Sequence, residues 1–403
     1  MKPRIPRLKP TWFLLILVLL QLGIDAALFV TFPTGGRDFV IQMTAGRVAD
    51  LDGTPQLYEP EVQLTRQREI RDSPSNDAPL LAFNHPPFLV EALRPLSRLP
   101  YEKAYRIWLV CELLLFSIAA YAMTTGLAAH GASTFQVSLN RLAVLSFFSV
   151  ALALAQGQDT AVLMLGAAGW SVLIGQRRDF TAGVLLSLAA IRPHIALTLA
   201  IPFVFARRRV FAGFLAGTVL LGLYSLSLVG WQGVLAYIDV IRDSAVGGQL
   251  PMGTLRMPNF LGLLHRVGYG SGGERAFAIA AWMTWVASIA MFSIWWASLQ
   301  SRVSPIHCGL LLIGTVFFVP HLHLHDAALL AIPPLAVAVV RISGSRSDWE
   351  RPAISMLAAS LFLSAAGIST RSSFDVKLAV AMLLILAPLL NDLRSQHSIR
   401  QDA

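Results

Sequence analysis

Runs of about twenty apolar residues recur along the whole chain. An α-helix of that length crosses the roughly 30 Å hydrocarbon layer of a bilayer. Spanning strands would instead alternate apolar and polar residues over about ten positions, and no such alternation occurs. Only 14% of the 403 residues are charged, which leaves no stretch for a large soluble domain. We therefore predict an all-α, polytopic membrane bundle that forms a single domain over residues 1–403.

Lysine and arginine on short loops indicate which side of the membrane each loop occupies. The basic N-terminus and the arginines of several later loops predict about twelve membrane helices with both termini in the cytoplasm. Two long polar segments, residues 33–100 and 230–275, then lie outside. The apolar stripe after Asp38 predicts an interfacial helix within the first of them. Residues 181–205 are interrupted by "IRPH" and predict two short helices rather than one span.

The net charge of +9 could suggest a nucleic-acid partner. In a membrane protein, basic residues more often set topology and contact anionic lipid head groups. We therefore expect membrane lipids as partners and no nucleic acid. Cys111 and Cys308 lie in apolar runs, without a CxxC pair, and indicate neither a disulfide nor a redox site.

Polar residues from distant parts of the chain fall on the predicted external face. Ionisable groups at the edge of a bilayer are costly unless they pair or face a wet cavity. Their convergence predicts one external site. The candidate site residues are Arg37, Asp38, His85, Gln156, Gln158, Arg192, His194, Asn259, His321, His323, His325 and Asp326.

Asp38 follows the first predicted span and precedes the interfacial helix. Capping of that helix is one explanation for an aspartate there. The other is a general base at the membrane surface, with its carboxylate in reach of a bound hydroxyl. Arg37 beside it is either its partner or a contact for lipid phosphate.

Arg192 interrupts an apolar run and is followed by a helix-breaking proline. A guanidinium in that position can clamp a phosphate with two hydrogen bonds. The alternative is a structural ion pair with a carboxylate such as Asp159.

The segment "HLHLHD" alternates His321, His323 and His325 with leucine and ends at Asp326. This spacing favours an extended segment with the histidines on one side. Hydrogen bonds to a phosphate are one role, zinc ligation is a second and helix capping is a third. Gln156 and Gln158 fit either hydroxyl binding or contact between helices, and His85 of "NHPP" fits either a site or a turn.

Taken in order, an acid after the first helix, "GTPQLYEP", "NHPPF", "GQ", "RPH" and a proline-started His/Asp cluster resemble glycosyltransferase family 87, polyprenol-dependent mannosyltransferases with the C-type membrane fold. The resemblance implies a polyprenyl-phosphate sugar donor, typically mannose. It also implies transfer to a lipid or glycan acceptor outside the cytoplasm, with inversion to an α-linkage. Asp38 matches the acid thought to act as base. Arg192 matches a basic residue before proline, whereas histidines replace the family's usual aromatic residues in "HLHLHD".

A lipid-phosphate donor carries its own leaving group, and the sequence has neither a GxxxxGK phosphate loop nor the metal motif of nucleotide-sugar enzymes. We therefore expect no cofactor and no metal. The location expected is the inner (plasma) membrane. A transporter or flippase for a lipid-linked or anionic solute is the main alternative, because broken helices such as the one at "IRPH" also occur in carriers. A scaffold that binds lipid head groups is a third.

Overall fold

The computed structural model of the chain describes residues 9–31, 38–71, 80–245, 254–268, 271–367 and 371–401. These residues form α-helices and short 3-10 helices and contain no β-strand. The α-helices are α1 (Pro10–Thr31), α2 (Phe39–Leu51), α3 (Pro60–Ile70), α4 (Val90–Ser97), α5 (Tyr101–Ala129), α6 (Thr134–Leu145), α7 (Phe148–Gln156), α8 (Thr160–Gly175), α9 (Asp179–Leu186), α10 (Pro193–Ala200), α11 (Arg208–Ala245), α12 (Phe260–Val267), α13 (Glu274–Leu299), α14 (Pro305–Phe318), α15 (Ile332–Ser343), α16 (Arg351–Gly367) and α17 (Arg371–Gln401). The 3-10 helices of these ranges are Thr54–Gln56, Pro87–Leu89, Ser187–Ile191, Ile201–Val204, Thr254–Arg256, Gln300–Arg302 and Asp326–Ala331.

The predicted fold class is confirmed: the chain is an all-helical, polytopic membrane bundle. Six helices of the described residues are long and apolar enough to cross a membrane, and α6 with α7, bent by 52°, makes a seventh unit. Five shorter apolar helices accompany them: Thr160–Gly175, Asp179–Ile191, Pro193–Val204, Pro305–Phe318 and Arg351–Gly367. The expected number of about twelve membrane helices therefore requires every short helix to be counted.

Burial separates a central helix from peripheral ones. The helix over Asp326–Ser343 buries 72% of its most apolar window, whereas α1, α11, α13 and α17 bury 28% of theirs. Large apolar side chains such as Leu19 and Leu220 are exposed on the peripheral helices. An apolar surface of this extent suits contact with lipid tails.

Aromatic side chains fill the interior between α8, α13 and the 3-10 helix Ile201–Val204 that follows α10. Trp170 meets the edge of Phe203 with ring centroids 5.8 Å apart, and Phe203 meets Trp296 at 5.9 Å. All three side chains are fully buried. Edge-to-face pairs of this kind add to the free energy gained by burying the rings.

The two ends of the bundle differ in their connections. We call the end at which α1 finishes and α2 begins the site end, and the end that holds Thr11 the opposite end. Helices α2, α3 and α4 belong to the first interhelical segment, at the site end. The helix predicted after Asp38 is present as α2, and Asp38 holds the position directly before it.

The first interhelical segment is held together by its own side chains. Gln67 exchanges two hydrogen bonds with the backbone of Leu81, at 2.9 and 3.0 Å, and Gln63 accepts from Phe83 N at 2.8 Å. Arg66 forms a two-pronged pair with Asp52 at 2.7 and 2.8 Å, which lowers the pKa of the Asp52 carboxyl. These bonds fix the "NHPP" turn relative to α3.

Candidate active site

The carboxylate of Asp38 binds a glutamine from a distant part of the chain. Gln158 Nε2 donates to Asp38 Oδ2 at 2.7 Å, and Asp38 N donates to the carbonyl of Gln156 at 3.2 Å. Asp38 holds the N-cap position of α2, yet its side chain caps no backbone amide of that helix. The capping explanation is therefore wrong for its carboxylate, which points to the turn after α7.

That turn depends on a glycine. Gly157 has φ +73°, a left-handed conformation that other residues adopt at a cost. A Cβ there would also lie 2.6 Å from the Cβ of Phe39. Trp108 Nε1 donates to the Gly157 carbonyl at 3.1 Å and fixes the turn from α5. The turn thereby brings Gln156 and Gln158 to Asp38, directly before α2.

Directly after Gln158, Asp159 holds Arg192. Asp159 is completely buried, and its Oδ1 accepts from Arg192 Nη2 at 2.8 Å. Arg192 Nε also lies 3.6 Å from Asp326 Oδ1, which in turn accepts from Thr160 Oγ1 at 3.3 Å. The ion pair with Asp159 that the sequence left open is formed. Arg192 sits where the 3-10 helix Ser187–Ile191 gives way to α10.

His85 completes this group. Its Nδ1 lies 2.6 Å from Arg192 Nη1 and 2.7 Å from Asp159 Oδ2. A single ring nitrogen either donates or accepts, so it satisfies one of the two neighbours at a time. When Nδ1 accepts from Arg192, Asp159 Oδ2 has no partner among the described residues. Whether the ring proton lies on Nδ1 therefore decides whether His85 bonds Asp159 or Arg192.

The first interhelical segment positions His85. Tyr58 donates to the His85 carbonyl at 2.7 Å, and burial raises the pKa of this phenol well above its usual value, so that it stays a donor. Phe83 lies beside both rings, with centroids 6.2 Å from Tyr58 and 5.2 Å from His85. The "NHPP" turn thus brings an imidazole to the site rather than only ending a helix.

The histidines of "HLHLHD" form a row of rings. The centroids of His321 and His323 are 4.9 Å apart, and those of His323 and His325 are 5.5 Å apart. His194 extends the row, 6.1 Å from His321. Residues 319–323 are not helical, as the alternation with leucine predicted. The row leads from α10 to the turn after α7.

His325 connects this row to the turn that binds Asp38. Its Nδ1 donates to Gln156 Oε1 at 3.0 Å, and its Nε2 lies 3.6 Å from Asp326 Oδ2. Burial lowers the pKa of the His325 imidazole and outweighs the opposing effect of Asp326. His325 therefore acts at neutral pH as a hydrogen-bonding group rather than as a cation.

A model of glycosyltransferase family 87 matches residues 83–333, more than half of the chain. The protein belongs to glycosyltransferase family 87. No curated protein and no solved structure shows a significant match to the chain. The matched region includes His85, Arg192 and the histidine row, and it begins after Asp38. The resemblance read from the motifs is thus confirmed, and the chain is a membrane glycosyltransferase.

Two predicted site residues of this family 87 member stand apart from the others. Asn259 caps α12, because its Oδ1 accepts from Gly262 N at 2.9 Å, and its Nδ2 donates to the Val319 carbonyl at 2.8 Å. Both polar atoms of the Asn259 amide are therefore bonded to backbone. Asn259 contributes to the site only by fixing the start of the histidine segment. Arg37 lies outside the described residues.

The zinc alternative for the histidines finds no counterpart in the geometry. Among the described residues, no group of three or more histidine, cysteine, aspartate or glutamate side chains is arranged to hold a metal ion. The rings of the row stack on one another or meet edge to face instead of pointing at a common centre. Their arrangement suits hydrogen bonding to a ligand that lies along the row.

Glu112 is a site residue that the sequence analysis missed. It lies in the middle of α5 with only 1% of its surface exposed, and its Oε2 accepts from Ala161 N at 3.0 Å. Its Oε1 has no partner among the described residues. An acid inside an apolar 29-residue helix was the available signal, because such residues are rare and expensive there. Glu112 supports the start of α8, next to Asp159.

Proposed function

We propose that the protein transfers a sugar, typically mannose, from a polyprenyl-phosphate donor to a lipid or glycan acceptor. The transfer takes place on the extracytoplasmic side of the inner (plasma) membrane, with inversion at the anomeric carbon to give an α-linkage. The single observation that carries the proposal is the meeting of Asp38 and Arg192 at one end of the bundle.

Four consecutive residues connect these two groups. Gln156 and Gln158 bind Asp38 through backbone and side chain, and Asp159 binds Arg192. A carboxylate able to accept a proton and a guanidinium able to hold an anion therefore share one wall, although they are far apart in sequence. Such a pair is what an acceptor hydroxyl and a phosphate leaving group require.

Asp38 is the proposed general base. As the acceptor oxygen attacks the anomeric carbon, its proton moves to the Asp38 carboxylate and a new C–O bond forms. The bond between the anomeric carbon and the phosphate oxygen breaks on the opposite side of the sugar. Gln158 fixes the carboxylate through Oδ2 and leaves the other oxygen for the acceptor. Partial exposure of Asp38 supports this role.

Arg192 is the proposed holder of the phosphate that departs with its polyprenyl chain. Its three nitrogens face Asp159, His85 and Asp326, and a guanidinium carries five N–H donors, so some remain for a ligand. Asp159 Oδ1 and the ring of His85 hold the guanidinium in place. No proton need be supplied to the leaving group, because a phosphate departs as a stable anion.

The charge distribution supports the proposed orientation. The short connections at the opposite end carry arginines such as Arg207, which pairs with Asp179, and Arg346, which pairs with Asp392. Lysine and arginine mark the cytoplasmic side irrespective of their acidic partners. The site end then faces away from the cytoplasm, which is where polyprenyl-phosphate sugars replace nucleotide sugars as donors.

The test uses the purified full-length chain with labelled polyprenyl-phosphate mannose and a membrane lipid extract as acceptor. Asp38→Asn is expected to lose product formation by about 10²–10⁴-fold, the usual contribution of a general base, while donor binding persists. The matched control is Asp50→Asn, the same change on the same helix, where Asp50 pairs with Arg98. The control is expected to keep its turnover.

Full product formation by Asp38→Asn would remove Asp38 from the mechanism. The broken helix at Arg192 also fits a carrier, and sealed liposomes separate that function from transfer. Movement of labelled donor across the liposome membrane without a glycosidic product would replace the proposed transferase with a transporter.

A further inference from the structure

The second half of α11 lies at the site end. The helix bends at Gly230, which has φ +66° and ψ −178°, and no neighbouring atom would block a Cβ there. The bend is therefore a matter of backbone conformation, which glycine allows. Thr54 donates to the Leu228 carbonyl just before the bend and ties α11 to the first interhelical segment. Beyond the bend, α11 carries Tyr237.

Two tyrosines pack together there and differ in how their hydroxyls are used. The ring centroids of Tyr58 and Tyr237 are 5.1 Å apart. The Tyr58 hydroxyl donates to the His85 carbonyl, whereas the buried Tyr237 hydroxyl has no hydrogen-bond partner among the described residues. Tyr237 thus packs on the tyrosine that is connected to Arg192 through His85. A buried polar group without a partner is unusual in native proteins and calls for an explanation.

Charge alone does not give this region a surplus for binding phosphate. The single guanidinium of Arg192 is already matched by the carboxylates of Asp159 and Asp326. A phosphate that arrives here adds negative charge to a group that is not positive overall. Neutral O–H and N–H donors stabilise an anion without requiring further cations, as oxyanion-binding sites do.

We propose that the Tyr237 hydroxyl binds the phosphate of the lipid-linked donor together with Arg192. The inference rests on the proposed function, because it assigns a further residue to the same donor site. The hydroxyl contacts the phosphate before and after the sugar departs, so it is expected to act on donor affinity and on the affinity for the polyprenyl-phosphate product.

Farnesyl monophosphate, a short isoprenyl phosphate, is the probe, and its binding to the full-length chain in detergent is measured by calorimetry. Tyr237→Phe removes only the hydroxyl and is expected to weaken binding by about tenfold to a hundredfold, the usual effect of losing a hydrogen bond to a charged group. Tyr224→Phe is the matched control, because Tyr224 is exposed on the first half of the same helix. This control is expected to bind as the unaltered chain does.

Farnesol, which lacks the phosphate, separates phosphate recognition from contacts with the isoprenyl chain. Its binding is expected to be equal in the unaltered chain and in Tyr237→Phe. Unfolding temperatures of all variants show whether a loss of binding comes from misfolding.

The outcomes separate the assignment of Tyr237 from the assignment of the donor class. If the unaltered chain binds farnesyl monophosphate and Tyr237→Phe binds it equally well, the assignment of Tyr237 is overturned while the proposed donor class stands. If the unaltered chain binds farnesyl monophosphate no better than farnesol, the polyprenyl-phosphate donor itself is rejected.

Discussion

Both ends of the bundle bury an arginine between two carboxylates, and the two clusters differ in what they leave unbonded. At the opposite end, Arg341 pairs with Asp392 at 3.0 Å and with Asp348 at 3.2 Å. Arg346 binds the same two acids. At the site end, Arg192 holds Asp159 and approaches Asp326.

The polar atoms of the Arg341 cluster all have partners, whereas several around Arg192 do not. Within the described residues, His194 Nε2 and the Tyr237 hydroxyl are buried and unpaired, and Asp159 Oδ2 has only the His85 Nδ1 that it shares with Arg192. A closed ionic cluster connects helices, and an open one keeps capacity for a ligand at the expense of stability. Of these two buried arginine clusters, the one around Arg192 is therefore the better candidate for binding a ligand.

The largest expected difference comes from the same substitution in both clusters. Arg192→Lys replaces a planar fork by a point charge and is expected to lower turnover by about 10²–10³-fold, as the loss of an anion-stabilising donor does. Arg341→Lys is expected to keep its turnover and to lose about 1–3 kcal/mol of stability, because a lysine cannot serve both carboxylates. Product formation and thermal unfolding are measured for both. Equal losses of turnover would break the comparison.

Two glycine substitutions, one at each end of the bundle, test the same difference between the site end and the opposite end. Gly157→Ala combines a left-handed conformation with a contact to Phe39, so it is expected to displace the turn and to lower turnover by about tenfold or more. Gly131 at the opposite end has φ +88° with open space around it. Gly131→Ala is expected to cost only the strain of the left-handed region, about 1–2 kcal/mol. Unaltered turnover in Gly157→Ala would contradict the role of the turn.

The smallest expected effect concerns two glutamines that each bind an acid. Gln158→Ala leaves the Asp38 carboxylate without its fixed partner and is expected to lower turnover by up to about tenfold. Gln136 donates to Glu350 at the opposite end at 3.0 Å, and Gln136→Ala is expected to change stability alone. Turnover at saturating donor is the measurement. A drop in turnover for Gln136→Ala of the same size would show that the two ends are coupled.

Sequence reasoning reached the helical membrane fold because the length of an apolar run is a local property. The start of α2 at Asp38 and the extended histidine segment were predicted for the same reason, since each depends on a few neighbouring residues. The 52° bend between α6 and α7 was not predicted. A sequence of uniformly apolar residues gives no local signal for where packing interrupts a helix.

The site was predicted in part. Asp38, Arg192 and the histidines stand out as polar residues in apolar surroundings. Tyr237 did not, because a tyrosine on an amphipathic helix is ordinary until the bend at Gly230 brings it beside Tyr58. The hydrogen bonds of Asn259 to backbone atoms were not predicted either, because the sequence does not reveal the partner of a side-chain amide. Long-range packing decides which polar residues remain unpaired.

The turn at residues 156–159 has a consequence for how this enzyme can diverge. Its four residues touch α2 through Asp38, the histidine row through His325, α5 through Trp108 and α10 through Arg192. A mutation that shifts any of these neighbours must therefore be accommodated by the same tetrapeptide. We expect substitutions that alter substrate preference without loss of transfer to lie at residues that this tetrapeptide does not contact.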